Sequence, residues 1–415
     1  SVDEKRTTTC WRRASCERPM TTMDPARAPS DSGGWQTIGH GAARLYLQRS
    51  HEADRIAHAY LITGPDQVGK RTLALDLARL VNCTPTPDMF GDDPTPPCGR
   101  CGPCDRIHRH VHADIKVIDP HTPMRGVSSG TRESTPEQDA ARTLISIDHI
   151  REMQHDVHLN PFEGGRRVII FDGADRMSPD GAGWNALLKT LEEPPVQVII
   201  VLLAPSPKSL PQTVISRCQV IELHAVPREE IEQGLIERGG ADPGKASQLA
   251  RLAGGRPGRA FAALEDETTL DRYQQAVLRV LVTSAGDIEE RFRYANEMAR
   301  EFSRNREMVS RELELWTSIW RDILLLKYDV TDSVANIAWT EQLAGAASAA
   351  GDDDARIAIE AIAKAADGLR RNGMPRVVLE VLMLELPTIP SEIVESIELG
   401  DVGESSDGGW DAPVS

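Results

Sequence analysis

The sequence predicts an α/β domain with a doubly wound parallel sheet at the start of the chain, followed by all-helical regions. Short runs rich in Val, Ile and Leu, without alternating polar residues, indicate strands that are buried on both faces. Helical stretches such as RTLALDLARLV and GWNALLKTLEE lie between these runs, and this alternation is typical of a doubly wound sheet. Residues 270–386 contain a single proline, Pro375, so we expect a helical bundle there.

The individual strands and the domain boundaries follow from the same pattern. We predict four strands: AYLITG (59–64), IKVID (115–119), RVIIFDG (167–173) and QVIIVLLA (197–204). The expected parts of the chain are a disordered polar segment (1–34), the α/β domain (35–222) with a polar loop (122–141), a small helical domain (223–267), a helical bundle (268–386) and a disordered acidic tail (387–415). Because the chain begins with Ser1, either Met20 or Met23 is a candidate for the native start.

Length and charge limit the classes of function. A chain of 415 residues favours two or three domains. The net charge of −16 argues against a surface built for bulk nucleic-acid binding, although local basic contacts are compatible with it. No apolar run approaches the ~20 residues of a membrane span, and the N-terminal residues lack the apolar core of a secretory signal. We therefore expect a cytoplasmic protein that does not contact a membrane.

The stretch GPDQVGK has the G-x-x-x-x-G-K spacing of a phosphate-binding loop, with Gly64 and Gly69 as its glycines and Lys70 as its lysine. It follows a predicted strand and precedes a predicted helix. Backbone N–H groups and the helix N-terminus would therefore face an anion, and Lys70 would add a point charge. The alternative is a glycine-rich turn with a surface lysine.

Two parts that ATP hydrolysis needs are missing around this loop. Mg²⁺ is normally held by a Ser or Thr hydroxyl directly after the lysine and by an Asp at the end of a neighbouring strand. Arg71 replaces the hydroxyl residue, and Thr72 is displaced by one position, about 100° around the helix. Asp172 supplies the carboxylate, but Gly173 follows it where a water-activating Glu is expected. We predict that ATP or ADP, where it binds, is not turned over.

Four of the seven cysteines form a C-x₁₄-C-x₂-C-x₂-C pattern, and they are Cys83, Cys98, Cys101 and Cys104. Closely spaced C-x₂-C turns direct thiolates to one point, and a distant fourth cysteine closes a tetrahedral site, so we predict structural Zn²⁺. The alternatives are disulfides, an iron–sulfur cluster or unliganded thiols. His108, His110 and His112 follow closely and are candidates to replace a ligand, but with four cysteines available we expect them to be solvated helix residues.

Four stretches of the chain together resemble the AAA+ clamp-loader subunits of bacterial DNA polymerase III. In chain order they are HAYLITGPDQVGK, RVIIFDGADRM, NALLKTLEEPP and SRCQ. The resemblance covers roughly residues 35–265 and extends by helical length and position to 386. It implies an AAA+ domain with a zinc module at 83–104, a helical lid at 223–267, and a collar at 268–386 that holds subunits together.

The clamp-loader family contains two kinds of subunit that this chain could be. The motor (gamma/tau) subunit keeps an intact ATP site, whereas delta-prime is a degenerate stator that often loses those residues; Arg71 and Gly173 favour the delta-prime kind. The resemblance then implies a ring of five with motor subunits and a delta subunit, which loads the sliding clamp onto primed DNA. The alternatives are a motor subunit that hydrolyses ATP itself and a generic AAA+ or recombination helicase-loader ATPase.

The resemblance also assigns individual residues. Arg217 in SRC matches the family's arginine finger, which reaches the γ-phosphate of ATP on a neighbouring subunit; its alternative role is pairing with a surface carboxylate. Ser206, after the last predicted strand, matches less closely a polar residue that contacts the γ-phosphate. The family's lid arginine falls near Gly258 or Arg259 in GGRPGRA. Cys218 is expected to be a small buried residue.

Overall fold

A computed structural model describes residues 34–395, apart from 87–94, 123–143, 158–159, 164, 178–180, 267 and 372. The predicted polar segment before Gly34, the polar loop beyond Thr122 and the acidic tail beyond residue 395 lie outside the described residues. The chain divides into two compact units, Ser1–His224 and Ala225–Ser415. None of the described helices is both long and apolar enough to span a membrane.

The described part of the first unit contains a five-stranded parallel sheet with the order β2-β3-β4-β1-β5. The strands are β1 Ala59–Thr63, β2 Ile115–Ile118, β3 Arg167–Asp172, β4 Val198–Ala204 and β5 Gln219–Glu222. The four predicted strands are all present. The sequence did not predict β5, because this edge strand is short and only one of its four residues is buried, so it has no apolar run.

Helices cover both faces of this sheet, which explains why its strands are apolar without alternation. In β1, Tyr60 and Ile62 belong to one hydrophobic cluster, while Leu61 belongs to a second cluster on the opposite face. The helices of the first unit are α1 Gly41–Glu52, α2 Lys70–Asn82, α3 Gly102–His108, α4 Ile147–Val157, α5 Ala182–Glu192 and α6 Gln212–Ile215.

The second unit is helical throughout its described part. Its helices are α7 Arg228–Gly239, α8 Pro243–Leu252, α9 Pro257–Glu265, α10 Thr269–Ala285, α11 Ile288–Arg304, α12 Arg306–Lys327, α13 Thr340–Ala349, α14 Asp354–Arg370, α15 Pro375–Glu385 and α16 Ser391–Glu395. Trp316 and Trp320 of α12 are fully buried at the centre of one large hydrophobic cluster. The described parts of the two units confirm the predicted α/β domain with a parallel sheet and the helical regions that follow it. The division of the second unit into a lid and a collar stays a prediction.

The predicted start of a disordered tail at residue 387 is wrong for its first nine residues. Ile389 is 3% exposed, its N–H donates to the Ser284 carbonyl at 3.2 Å, and α16 follows it. The buried Arg291 guanidinium also donates to the Pro387 carbonyl at 3.1 Å and to the Thr388 hydroxyl at 3.0 Å. These contacts with α10 and α11 order the segment.

Candidate functional site

The phosphate-type loop connects β1 to α2 at the carboxyl end of the sheet. Gly64 has φ 146°, and a Cβ atom there would lie 2.4 Å from the Leu223 carbonyl oxygen, so only glycine fits. Gly69 has φ 108° and precedes the first residue of α2, Lys70. β1, β4 and β3 are adjacent and parallel, so their carboxyl ends share one edge, where α/β sheets bind their ligands.

Lys70 is turned onto its own loop. Its Nζ donates to the Gly64 carbonyl at 2.6 Å and to the Pro65 carbonyl at 2.9 Å, and it lies 3.3 Å from the Asp66 carboxylate. The lysine side chain is 11% exposed, whereas that of Asp66 is 83% exposed. The ammonium group that would meet a phosphate is therefore partly neutralised from within the loop.

Arg71 forms an ion pair with Asp172, the carboxylate that the sequence predicts as a metal ligand. Its Nη1 lies 3.3 Å from Oδ2 of Asp172, the last residue of β3. Gly173 follows with φ 84°, in the left-handed region that disfavours a Glu at this position. Both departures from an ATPase site therefore lie at the end of β3. Arg71 pairs with the Asp172 carboxylate from 101 positions earlier in the chain, and Gly173 directly follows Asp172.

An open cleft of about 260 Å³ lies beside the loop and the end of β3. Its lining residues are Asp66, Lys70, Asp119, Pro120, His121, Asp172, Gly173, Asp175, Arg176, Leu203, Ala204 and Pro205. Four carboxylates face two cationic side chains of the lining, with Arg71 as a third cation on Asp172. Burial raises the pKa of Asp175. Carboxylates repel phosphate, so the cleft is electrostatically poor for a polyphosphate.

The structure brings only part of the predicted nucleotide set to this cleft. Lys70 and Asp172 line it, and Gly64 and Gly69 shape the adjoining loop. Thr72 and Ser206 are not among its lining residues; Ser206 instead accepts the Lys208 N–H at 3.3 Å and begins a short 3₁₀ helix. Of the four carboxylates, only Asp172 was predicted from the sequence. Asp66 lies within the loop, Asp119 directly follows β2 and Asp175 lies three residues after the end of β3, and these positions were the available signal.

The four predicted cysteines meet at one point. Their Sγ atoms all lie within 4.8 Å of one another, and none forms a disulfide. Sγ of Cys83 is 3.9 Å from Sγ of Cys101, close to the roughly 3.8 Å that tetrahedral geometry requires when each Zn–S distance is ~2.3 Å. The backbone N–H groups of Cys98 and Cys101 donate to cysteine sulfurs at 3.3 Å, as in thiolate knuckles.

Glycines beside the cysteines allow the chain to turn tightly enough to bring the four thiols together. Gly99 has φ 71° and forms the tight turn, and Gly34 packs so closely against it that a Cβ on Gly34 would lie 2.2 Å from the Gly99 nitrogen. A hydrogen bond from Cys83 lowers the pKa of Cys104 to about 5. Among the described residues, no histidine joins the cluster. His112 instead is buried 3.2 Å from the Glu163 carboxylate, so the expectation that it is solvated is wrong.

Arg217 lies between α6 and β5, and its guanidinium is paired within the chain. Nη2 lies 2.7 Å from Oε1 of Glu192, which belongs to the NALLKTLEEPP stretch, and Nη1 donates to the Thr213 carbonyl at 2.9 Å. The arginine side chain is 36% exposed and that of Glu192 is 52% exposed. The alternative role of Arg217, pairing with a surface carboxylate, is therefore present in the isolated chain. The pair is half exposed, so it is weak and can exchange its partner.

Comparison with known proteins finds similarity to DNA polymerase III subunits, mainly in the first unit. Residues 39–227 match the family described as "DNA polymerase III, delta subunit". The chain is 31% identical to DNA polymerase III subunit delta' of Bacillus subtilis over 206 residues, which are 50% of this chain and 54% of that protein. It is 30% identical to subunit delta' of Pseudomonas aeruginosa over 210 residues, 51% of each chain.

Relatives named as tau subunits match at similar identity. The chain is 33% identical to DNA polymerase III subunit tau of Escherichia coli over 223 residues, which are 52% of this chain and 30% of that protein. The chain thus spans about half the length of the delta' relatives and less than a third of this tau relative. The similarity covers the unit that contains the loop, the cysteines and Arg217.

Proposed function

Because the chain belongs to the clamp-loader family of DNA polymerase III subunits, we propose that it acts there as a delta-prime subunit. In this role it is a stator of the clamp loader that does not turn over ATP itself. Its partners would be gamma/tau motor subunits and a delta subunit in a ring of five. A collar formed by residues 268–386 would hold this ring together. The assembled ring would place the sliding clamp on primed DNA in the cytoplasm.

The contact between Arg71 and Asp172 carries this proposal. A guanidinium 3.3 Å from the carboxylate competes with Mg²⁺ for the oxygen atoms that the metal needs. Gly173 supplies no general base, and Lys70 is held by the carbonyls of its own loop. Each feature removes a different requirement of ATP hydrolysis. Together they support a site that has kept the backbone shape of an ATPase but does not hydrolyse ATP.

The cysteine cluster supports a structural Zn²⁺ site. Four thiols at tetrahedral spacing, with two backbone N–H donors to sulfur, fit this ion, and four protein ligands leave no open position for a reacting water. Bound zinc would crosslink Cys83 at the end of α2 to the start of α3. It would thereby fix the insertion between α2 and β2, whose folding would depend on the metal.

We further propose that Arg217 serves as an arginine finger for a neighbouring subunit. In the isolated chain the guanidinium is held by Glu192, and the Thr213 carbonyl fixes its direction. A γ-phosphate at the subunit interface would replace Glu192 as the anionic partner. Because the existing pair is half exposed, this exchange costs about 1 kcal/mol or less.

The second candidate is a motor subunit that hydrolyses ATP. It is favoured by the similar identity to the tau relative and by the retained Lys70 and Asp172. The two candidates differ in what the chain does alone: a motor subunit binds ATP with Mg²⁺ and turns it over. The acidic cleft and the Arg71 ion pair favour the stator.

Replacing Arg71 with threonine tests this distinction. We expect the natural chain to bind a fluorescent ATP analogue weakly, without help from Mg²⁺, and to turn over ATP below about 10⁻³ s⁻¹. Arg71→Thr frees Asp172 and restores a hydroxyl after the lysine, so Mg²⁺-dependent affinity should rise about tenfold. The measurement is fluorescence titration of the analogue with Mg²⁺ and with EDTA.

Arg176→Ala is the matched control, because it removes an arginine that lines the cleft but leaves the Arg71 pair in place. Its nucleotide affinity should remain independent of Mg²⁺. Fast, Mg²⁺-dependent turnover by the natural chain alone would reject the stator assignment in favour of the motor subunit. Failure of the chain to co-assemble with purified motor and delta subunits would reject both.

A further inference from the structure

The second unit contains a pocket of about 270 Å³ with four arginines in its wall. They are Arg251 in α8, Arg256 directly before α9, Arg259 in α9 and Arg321 in α12. Side-chain hydroxyls complete the polar lining, and they belong to Tyr273, Thr317 and Ser318. Burial raises the pKa of Tyr273 to about 12, so its hydroxyl keeps its proton at neutral pH.

Positive charge exceeds negative charge around this pocket. Glu314 is the only carboxylate among the lining residues; it accepts hydrogen bonds from Nη1 of Arg256 at 3.0 and 3.2 Å and lies 3.5 Å from Nη1 of Arg259. Asp322 is fully buried nearby, where it accepts the N–H groups of Ala335 and Asn336. Four guanidiniums of the lining therefore face one carboxylate of the lining, and a second carboxylate is buried nearby.

Two of the arginines have unused hydrogen-bonding capacity. Within the described parts of the chain, the exposed Arg321 has no ion-pair or hydrogen-bond partner. Arg251 donates through Nη1 to the carbonyls of Asp332 and Val334 at 3.2 Å, but its buried Nε finds no acceptor among the described residues. A buried donor without an acceptor is unfavourable, and an incoming anion would relieve it.

We propose that this pocket binds a phosphate group. A guanidinium presents paired N–H donors that match phosphate oxygens, and Arg256 and Arg259 are only 28% and 32% exposed, which strengthens their field. The start of α9 adds partial positive charge at the same wall. The volume admits a small phosphate ligand or one phosphodiester of a nucleic-acid strand. The pocket lies entirely within the second unit, so this site does not depend on the proposed stator role.

Calorimetric titration of the full chain with pyrophosphate at low ionic strength tests the site. We expect saturable binding at one site, weakened about tenfold by Arg321→Ala, because that change removes a charged donor without breaking any contact. Glu314→Gln should strengthen binding by about threefold, since it removes the competing carboxylate. Arg356→Ala is the matched control: this arginine is exposed on α14, where it pairs with Asp353 and Glu360, and its loss should leave binding unchanged.

A labelled single-stranded oligonucleotide separates the two sources of phosphate. Binding that pyrophosphate displaces and Arg321→Ala weakens identifies the phosphodiester as the ligand. Pyrophosphate binding without oligonucleotide binding identifies a free phosphate ligand. The proposal is overturned if neither probe binds, if Arg321→Ala behaves like Arg356→Ala, or if Glu314→Gln does not strengthen binding.

Discussion

Replacing Arg217 with alanine should lower ATP turnover at the neighbouring subunit by about 10³-fold or more, the usual contribution of an arginine finger. The guanidinium would stabilise the charge that develops on the transferring phosphoryl group, in an interface from which water is excluded. The measurement is ATP hydrolysis by a complex reconstituted from this chain with motor and delta subunits, clamp and primed DNA. Arg217 would act on one ATP site of the complex, so turnover of the whole complex should fall by the fraction that this one site contributes.

Two further variants separate this role from a merely structural one. Arg217→Lys keeps the positive charge but loses the planar guanidinium, so turnover of the complex should fall as it does in Arg217→Ala. Glu192→Gln removes the partner that holds Arg217 in the isolated chain, and turnover of the complex should stay at the natural level because the pair is half exposed. Gel filtration confirms that each variant still assembles. Normal turnover in an assembled Arg217→Ala complex would leave Arg217 with no role beyond its pair with Glu192.

Removing one cysteine ligand should have the second-largest effect. We expect the natural chain to carry about one equivalent of zinc, and Cys104→Ser to lose it, because three ligands hold the ion far more weakly than four. Cys104 is fully buried, so the module around α3 should also lose about 3 kcal/mol or more of stability. Elemental analysis measures the metal, and limited proteolysis of residues 83–108 measures the local opening.

Cys218→Ser provides the matched control, since Cys218 is a half-buried free thiol outside the cluster. This variant should keep its zinc and resist proteolysis of the module. Chelation of zinc from the natural chain should reproduce the Cys104→Ser pattern. Iron in place of zinc, or a natural chain with well under one equivalent of zinc, would contradict the assignment.

Strong local signals in the sequence predicted most of the fold. β1, β3 and β4 are continuous apolar runs because helices cover both faces of the sheet, and such runs are visible without any partner. The edge strand β5 escaped prediction because its pairing with β1, and not its own hydrophobicity, makes it a strand. The ordered segment after Leu386 escaped for the same reason, since Arg291 and Ser284 from distant helices hold it.

The sequence by itself determined the chemistry available in the candidate site: the glycines and lysine of the loop, the losses at Arg71 and Gly173, the four cysteines, and Arg217 within SRC. Only the tertiary structure decided what these groups contact. It placed Arg71 on Asp172, Arg217 on Glu192, and four carboxylates around the cleft. The physical reason is that residue type and spacing fix which charges exist, whereas the energy of a charge depends on neighbours that chain folding brings from remote positions.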